Sequence, residues 1–89
     1  MFYTYVIKSK KDSNWYTGCT NDLCKRFKQH NKGEVFSTRS RVPFDLIYYE
    51  ACIKREDAFE REKYLKSGLG KRFIKNRLKH FLKEIKENY

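Results

Sequence analysis

Four side chains whose types can do chemistry in an active site lie between residues 5 and 30. Tyr5 and Tyr16 supply phenols, Arg26 supplies a guanidinium and His30 an imidazole. Phenol and imidazole groups can position water and handle a proton, and a guanidinium can donate two parallel hydrogen bonds to phosphate oxygens. Farther along, Glu62 offers the oxygen ligand that Mg²⁺ and Mn²⁺ prefer. These residues could form an active site if short structural elements bring them together.

The elements that carry the first residues are predicted to be two strands of a hairpin. Residues 2–8 alternate between two faces and are rich in aromatic and β-branched side chains. The polar stretch 10–14 is turn material, and strand composition resumes over residues 15–19. An antiparallel hairpin would place Tyr16 and Gly18 on the same face.

A helix is predicted to follow the hairpin. Thr20, Asn21 or Asp22 can cap it, because their side-chain oxygens accept hydrogen bonds from free backbone amides of the first turn. Arg26 and His30 are four residues apart and lie on one flank of its apolar stripe. The helix should end at residues 31–33, where a glycine can take the left-handed conformation.

The second half of the chain predicts a loop, a strand and two helices. Residues 34–43 form the loop, and residues 44–51 alternate as a third strand, with Phe44, Leu46 and Tyr48 on one side and Ile47 and Tyr49 on the other. Residues 54–67 are predicted to be helical. The glycines of residues 67–70 break that helix. The final helix, residues 71–88, is basic and amphipathic, with this apolar face: Ile74, Leu78, Phe81 and Ile85.

Glu62 is unusual because it occupies the apolar stripe of the 54–67 helix. The stripe reads Ala58, Glu62, Leu65 and Leu69. A carboxylate in such a position is costly unless it is paired, protonated or bound to a metal. Two interpretations stay open at this point: an internal salt bridge to Arg26 or a similar residue, or a ligand for a divalent cation.

The composition indicates one basic domain that binds a polyanion. The chain has 89 residues, of which 21 are Lys or Arg and 11 are Asp or Glu, and its formal charge is +10. This length supports one core, so residues 1–89 are predicted to be a single α+β domain with a small, mostly antiparallel three-stranded sheet flanked by helices. The charge favours nucleic acid as the partner. No membrane-spanning or export segment is recognisable, and three cysteines without paired spacing predict reduced thiols, so we expect a cytoplasmic location.

With these residues identified, the chain resembles the GIY-YIG nuclease family. It is similar within that family to small single-domain members that look like the nuclease module of the bacterial excision-repair nuclease. The resemblance covers residues 3–70. The motif residues are Thr4-Tyr5-Val6 and Tyr16-Thr17-Gly18, with family spacing between them, then Arg26, the segment His30-Asn31-Lys32-Gly33, and Glu62.

The chain departs from the family pattern at three positions, and a fourth is a candidate match. Thr4 replaces a glycine of the first signature, and Thr17 replaces a hydrophobic residue of the second. Cys19 stands where the excision-repair branch has a lysine, so an active-site lysine is not carried over. Asn76 is a candidate for the late asparagine of that branch, although it lies farther along the chain.

The resemblance implies a hydrolytic DNA endonuclease that uses one Mg²⁺ or Mn²⁺ ion. Glu62 would hold the metal, and Arg26 would stabilise charge on the phosphoryl group. Tyr16 would activate or position water, with His30 accepting or relaying its proton. Tyr5 would hold the water or the phosphate. Gly18 at the site either allows close approach of substrate or marks a simple strand-end bulge.

Several further residues are predicted to contact DNA without reading its sequence. Lysine and arginine side chains would follow the phosphodiester backbone, and an indole could stack on unpaired bases. The candidates are Trp15, Lys25, Arg39, Arg41 and Asn76. The resemblance implies low sequence specificity and a role in DNA repair or processing. Target choice is either loose and directed by DNA structure or single strands, or it is supplied by a protein partner.

Two other functional classes stay open from sequence alone. The first is a nucleic-acid-binding module on the same scaffold with no significant cleavage activity. The second is a basic structural protein of a ribonucleoprotein particle, which would prefer RNA. The expected assembly state is a monomer or a weak homodimer, and the substrate could be single-stranded, branched or duplex DNA.

Overall fold

The computed structural model of the chain describes the backbone of residues 1–87 and the side chains of residues 1–85. Three strands are present, β1 (Phe2–Ser9), β2 (Trp15–Thr20) and β3 (Phe44–Cys52). The helices are α1 (Leu23–Asn31), α2 (Arg55–Lys66), α3 (Gly68–Arg77) and α4 (Lys79–Glu87), with a 3₁₀ turn at Arg39–Arg41. The predicted α+β class is confirmed.

The sheet has the strand order β2-β1-β3, and both pairings are antiparallel. β1 therefore lies in the middle, where it has a hydrogen-bonded neighbour on either side. In the hairpin, Tyr5 is opposite Gly18, and Ile7 is opposite Tyr16. The predicted hairpin is confirmed, and Tyr16 and Gly18 lie on the face that also carries Tyr5.

Helices cover both faces of the sheet. On one face Tyr5, Ile7 and Phe44 form a buried cluster against which Leu23 and Phe27 of α1 pack. On the other face Val6 packs with Leu65 of α2 and Ile74 of α3. Alternation along β1 produces this arrangement, because successive side chains point to opposite sides.

The predicted face assignment of β3 is wrong beyond its first residues. The pairing with β1 shifts between Val6 and Ile7, where Val6 is opposite Tyr48 but Ile7 is opposite Leu46. Such a bulge inserts one residue and reverses the alternation that follows. Tyr48 consequently packs on the α2 and α3 face, away from Leu46.

The predicted final helix is also wrong, because residues 71–88 do not form one continuous element. The Ser67 side chain accepts a hydrogen bond from the Gly70 amide and caps α3, which therefore begins at Gly68. Glycine is tolerated in that first turn because the cap satisfies the free amide. The helix ends at Leu78 (φ −106°, ψ 24°), where α4 starts anew. The predicted endpoint, Asn88, lies outside the described residues.

Two predicted core positions are exposed as a consequence of these breaks. Leu69 is 64% exposed, because α2 ends at Lys66 and the stripe of Ala58 and Leu65 does not continue into α3. Phe81 on α4 is 39% exposed, whereas Ile74 on α3 is buried. No helix within residues 1–87 is long and apolar enough to cross a membrane.

The connection after α1 is more ordered than its predicted loop suggests. The Asp22 side chain caps α1 by accepting from the Lys25 amide, and Gly33 takes the left-handed conformation (φ +74°), as predicted. Beyond it, the amides of Thr38 and Arg39 both donate to the Val35 carbonyl. This turn folds back on the sheet and buries Thr38 completely.

Candidate active site

Tyr5 lies at the centre of the candidate site and is held against the neighbouring strand. Its side chain is 1% exposed, and Gly18 is directly opposite on β2. A Cβ atom at position 18 would overlap the Tyr5 hydroxyl oxygen and lie 2.6 Å from the ring carbon that bears it. Gly18 therefore makes room for the phenol and is more than a simple strand-end bulge.

The Tyr5 hydroxyl is the first member of a buried hydrogen-bonded chain. Its oxygen lies 2.7 Å from Nε2 of His30, and Nδ1 of His30 lies 2.8 Å from Oγ1 of Thr38. Both His30 and Thr38 are completely buried. Two elements, α1 and the turn that follows it, thus fix the imidazole against the central strand.

The environment keeps Tyr5 and His30 uncharged at neutral pH. Burial, and secondarily the Arg26 charge, lowers the pKa of His30 to about 4. Burial raises the pKa of Tyr5 to about 12, with Arg26 opposing the rise and the neighbouring Tyr16 and Glu62 adding to it. A neutral phenol donating to a neutral imidazole is consistent with both shifts.

Tyr16 contacts His30 through its ring. The two ring centroids are 5.1 Å apart at an angle of 61°, an edge-to-face contact. Because the nitrogens of His30 bond to Tyr5 and Thr38, the structure pairs the imidazole with Tyr5 and gives no direct hydrogen bond from Tyr16 to it. Tyr16 is only partly buried, so it is the more accessible of the two phenols.

Arg26 projects from α1 beside the Tyr5 phenol. The guanidinium donates a hydrogen bond of 3.3 Å to the Gln29 side chain and remains partly exposed. Its charge lowers the pKa of His30 as well as opposing the rise at Tyr5. The positive charge is thus next to both members of the buried pair.

Glu62 approaches from α2, on the other side of the hairpin. Its side chain is 21% exposed, and Lys66 one turn later lies 3.0 Å from Oε2. The Glu62 charge contributes to the raised pKa values of Tyr5 and Cys19, after burial in each case. The helix that carries this carboxylate packs against β1 and β2, and the ion-pair partner of Glu62 is Lys66 rather than Arg26.

Two clefts adjoin this cluster. The larger, about 430 Å³, is rich in cations and is bordered by these residues among others: Cys19, Lys25, Arg26, Arg55 and Phe59. The smaller, about 230 Å³, is bordered by Trp15, Tyr16, Thr17, Lys66 and Lys71. Arg26 thus borders the larger opening and Tyr16 the smaller one, and both openings carry positive charge.

The residues predicted to contact DNA are distributed unevenly around these clefts. Lys25 borders the larger cleft and Trp15 the smaller one. Arg39 is exposed and stacks on the Phe36 ring at 4.6 Å. Arg41 is paired with Asp12 at 2.8 Å, and Asn76 is exposed on α3, outside the two clefts just described.

The ion pair with Asp12 gives Arg41 a structural role. It joins the turn after β1 to the segment before β3, and the Ser9 hydroxyl donates to the Arg41 carbonyl at 2.6 Å. An arginine held in this way has its fork occupied by a carboxylate. No sequence pattern indicates this partner, since Asp12 lies in an exposed turn.

Sequence reasoning missed Thr38 and the cations of α2 and α3. Thr38 was one hydroxyl among several in a predicted loop, and only the tertiary contact with His30 distinguishes it. Lys66 could have been anticipated, because it follows Glu62 at the i,i+4 spacing. Arg55 and Lys71 could not, since their position at the clefts depends on how the helices pack.

Fold and cluster together define the class to which the protein belongs. A β2-β1-β3 antiparallel sheet carries tyrosines from two adjacent strands, and helices deliver an arginine, a histidine and a glutamate to them. Residues 1–79 match the GIY-YIG catalytic domain. The chain belongs to the GIY-YIG catalytic domain family, a family of nucleases.

Its relatives are small proteins of one group. The chain is 45% identical to UPF0213 protein CPE1444 of Clostridium perfringens over 74% of its own length and 71% of that protein. It is 43% identical to UPF0213 protein YazA of Bacillus subtilis, over 72% and 65% of the two chains. The solution NMR structure of UPF0213 protein BH0048 from Bacillus halodurans has 34% identity and a TM-score of 0.47, covering 97% of this chain and 86% of the other.

Proposed function

We propose that this protein is a divalent-metal-dependent DNA endonuclease that hydrolyses phosphodiester bonds with low sequence specificity, in DNA repair or processing. The observation that carries the proposal is the convergence on Tyr5. His30 of α1 bonds to Tyr5 and contacts the Tyr16 ring, Arg26 lies one turn earlier on α1, and α2, which carries Glu62, packs against both strands of the hairpin. Groups of these types are what phosphodiester hydrolysis requires.

Glu62 is the residue that would hold Mg²⁺ or Mn²⁺. Within residues 1–87 no group of three or more His, Cys, Asp or Glu side chains is arranged to hold a metal. A single partly exposed carboxylate fits an ion that takes its other ligands from phosphate and water. When bound, such an ion would neutralise charge on the scissile phosphate and on the departing oxygen.

Arg26 and Tyr16 would act directly on the phosphate and the water. The partly exposed guanidinium borders the larger cleft and can bind a non-bridging phosphoryl oxygen through its fork. Tyr16, the accessible phenol, would orient the attacking water and, as the phenolate formed by loss of its own proton to solvent, accept the proton of that water. As the new P–O bond forms, the bond to the sugar oxygen breaks, and that oxygen takes a proton from solvent.

Tyr5 and His30 would form the buried support that holds Arg26 and Tyr16 in position. The phenol is almost completely buried and bonded to the imidazole, so it supports Arg26 and Tyr16 rather than contacting substrate. A neutral His30 suits this part, because an imidazolium there would repel the neighbouring guanidinium. This assignment revises the predicted contact of Tyr5 with water or phosphate.

The basic clefts support DNA as the substrate. Lys25, Arg26 and Arg55 surround the larger opening, and Lys66 and Lys71 the smaller one. Contacts of this kind follow the phosphate backbone and carry no base information, so we expect loose sequence preference and strong dependence on salt. Targeting would then come from DNA structure or from a protein partner.

A cleavage assay with matched glutamate variants tests the proposal. Labelled single-stranded, branched and duplex DNA, with an RNA control, is incubated with and without Mn²⁺. Wild-type protein should cleave DNA only with metal, Glu62→Gln should cleave about 10²- to 10³-fold more slowly, and Glu60→Gln, exposed on the same helix, should cleave normally.

Three results would oppose the proposal. Binding of DNA without cleavage under all conditions would indicate the pure binding module. Preference for RNA with no effect of Tyr16→Phe or Arg26→Ala would indicate a structural ribonucleoprotein component. Full activity of Glu62→Gln would remove the metal assignment.

A further inference from the structure

The geometry points to Thr38 as a positioning residue that fixes the tautomer of His30 and, through it, the direction of the Tyr5 hydroxyl. The inference rests on the proposed function and deepens it. Thr38 is not among the motif residues named in the sequence analysis. Its part follows from one contact, the 2.8 Å distance between its Oγ1 and Nδ1 of His30.

Thr38 is held firmly enough to impose a direction. The residue is completely buried, and its amide donates to the Val35 carbonyl at 3.1 Å. Its own carbonyl accepts from the Arg41 amide at 2.9 Å. Backbone contacts on both sides therefore fix the hydroxyl where the imidazole meets it.

The available donors and acceptors favour one arrangement of the chain. The Thr38 hydroxyl has a second acceptor in reach, the Val35 carbonyl at 3.5 Å, so it can donate there and accept from Nδ1–H of His30. Nε2 then carries the lone pair and accepts from the Tyr5 hydroxyl. In this arrangement, each hydrogen of the Tyr5, His30 and Thr38 side chains that can be donated has an acceptor.

The opposite arrangement leaves the hydroxyl hydrogen of Tyr5 without an acceptor. If Thr38 donated to Nδ1, Nε2–H would donate to the Tyr5 oxygen, and the Tyr5 hydrogen would have to turn elsewhere. The group beside it is the Arg26 guanidinium, which has donors only. A buried hydroxyl that points its hydrogen at a cation is costly.

The favoured direction has a consequence for the phosphate-binding arginine. With its hydrogen committed to His30, the Tyr5 oxygen turns its free lone pairs toward the guanidinium of Arg26. The phenol can then help to hold that guanidinium in the orientation that a phosphate needs. Thr38 acts on catalysis through His30, Tyr5 and Arg26 and does not contact substrate.

Two variants of Thr38 separate the hydroxyl from the shape of the side chain. Thr38→Val keeps the volume and removes the acceptor, whereas Thr38→Ser keeps the hydroxyl. Ser37→Ala, at the exposed neighbouring position, is the control. We expect kcat to fall about 10- to 100-fold in Thr38→Val with little change in KM, to recover to within about threefold in Thr38→Ser, and to be unchanged in the control.

Nitrogen-15 NMR of the imidazole provides a readout that does not depend on cleavage. The chain has two histidines, and the exposed His80 serves as the internal reference. At pH 7, His30 should be protonated on Nδ1 in the wild type and in Thr38→Ser. Thr38→Val should change to the Nε2-protonated tautomer while its thermal transition shows that it is folded.

The results distinguish this inference from the proposed function. Wild-type His30 protonated on Nε2, or a folded Thr38→Val with the wild-type tautomer and wild-type kcat, would overturn the inference while cleavage stands. Should Thr38→Val fail to fold, the wild-type spectrum alone decides the tautomer. A wild-type protein that cleaves nothing refutes the proposed function, and the spectra still decide the assignment of Thr38.

Discussion

Two glutamates that meet the same sheet, Glu50 on β3 and Glu62 on α2, have opposite surroundings. Glu50 receives hydrogen bonds from Nε and a second nitrogen of Arg61 and from the Tyr48 hydroxyl. In the described part of the chain, Glu62 has a single ion-pair partner, the flexible and half-exposed Lys66. The Glu50 carboxylate is saturated by fixed hydrogen-bond donors, whereas the Glu62 carboxylate can still accept a ligand.

The contrast shows that one glutamate, Glu50, stabilises the fold while the other, Glu62, is available for ligand binding. The fork of Arg61 also stacks on the rings of Tyr64 and Phe73, so the Glu50 pair fastens α2 and α3 to the edge of the sheet. A lysine at the i,i+4 position can leave at little cost, because such surface pairs contribute only about 0.3–0.5 kcal/mol. Glu62 can therefore exchange its partner without loosening the fold.

The sharpest test of this difference exchanges each carboxylate for an amide. Glu62→Gln should reduce cleavage by about 10²- to 10³-fold, while Glu50→Gln should leave the rate within about threefold of wild type. The reason is that Glu62, and not Glu50, contributes to the raised pKa of Tyr5, whereas Glu50 is paired with Arg61. Single-turnover cleavage with Mn²⁺ measures both, and equal losses in the two variants would contradict the distinction.

A substitution at Gly18 tests the buried side of the site. Gly18→Ala would place a Cβ atom against the Tyr5 hydroxyl oxygen and 2.6 Å from the ring carbon that bears it, so the phenol must move and its bond to His30 is broken. We expect a loss of about 2–3 kcal/mol in the free energy of unfolding, measured by urea titration, and a fall in cleavage. Gly68→Ala is the control, since nothing lies within 4 Å of its added methyl group.

The buried imidazole predicts a dependence of stability on pH. The pKa of His30 is lowered from 6.5 to about 4, so the unfolded chain binds more protons than the folded one between these values. Stability contributed by neutral His30 is fully present above pH 6.5 and is lost as the pH falls toward 4. Urea titrations across this range should show a decrease on the order of 2 kcal/mol that His30→Gln removes. The same slope in that variant would contradict the assignment.

The smallest expected effect concerns the saturated glutamate. Glu50→Gln should lower the free energy of unfolding by about 1 kcal/mol, because both members of the pair with Arg61 are partly exposed and water weakens their attraction. Glu62→Gln should change stability by less than about 0.5 kcal/mol. A larger loss at Glu62 than at Glu50, measured by chemical unfolding, would reverse the comparison.

Sequence reasoning succeeded for features set by neighbouring residues and failed for features set by distant segments of the chain. The hairpin, the Asp22 cap of α1 and the left-handed Gly33 depend on neighbouring residues, and the pattern located each of them. The reversal of faces in β3 depends on a bulge opposite Val6 and Ile7, which no pattern within β3 reveals. The start of α3 at Gly68, before the predicted Lys71, depends on the Ser67 cap, which the glycines concealed.

By itself, the sequence determined the class of fold, the basic charge and the identities of the candidate groups, Tyr5, Tyr16, Arg26, His30 and Glu62. Periodicity and local capping suffice for these because they act over a few residues. Only the tertiary structure decided that His30 bonds to Tyr5, that Thr38 completes this chain, and that Lys66 is the partner of Glu62. Hydrogen bonds between distant segments depend on packing at ångström scale, and that information is not present in spacing along the chain.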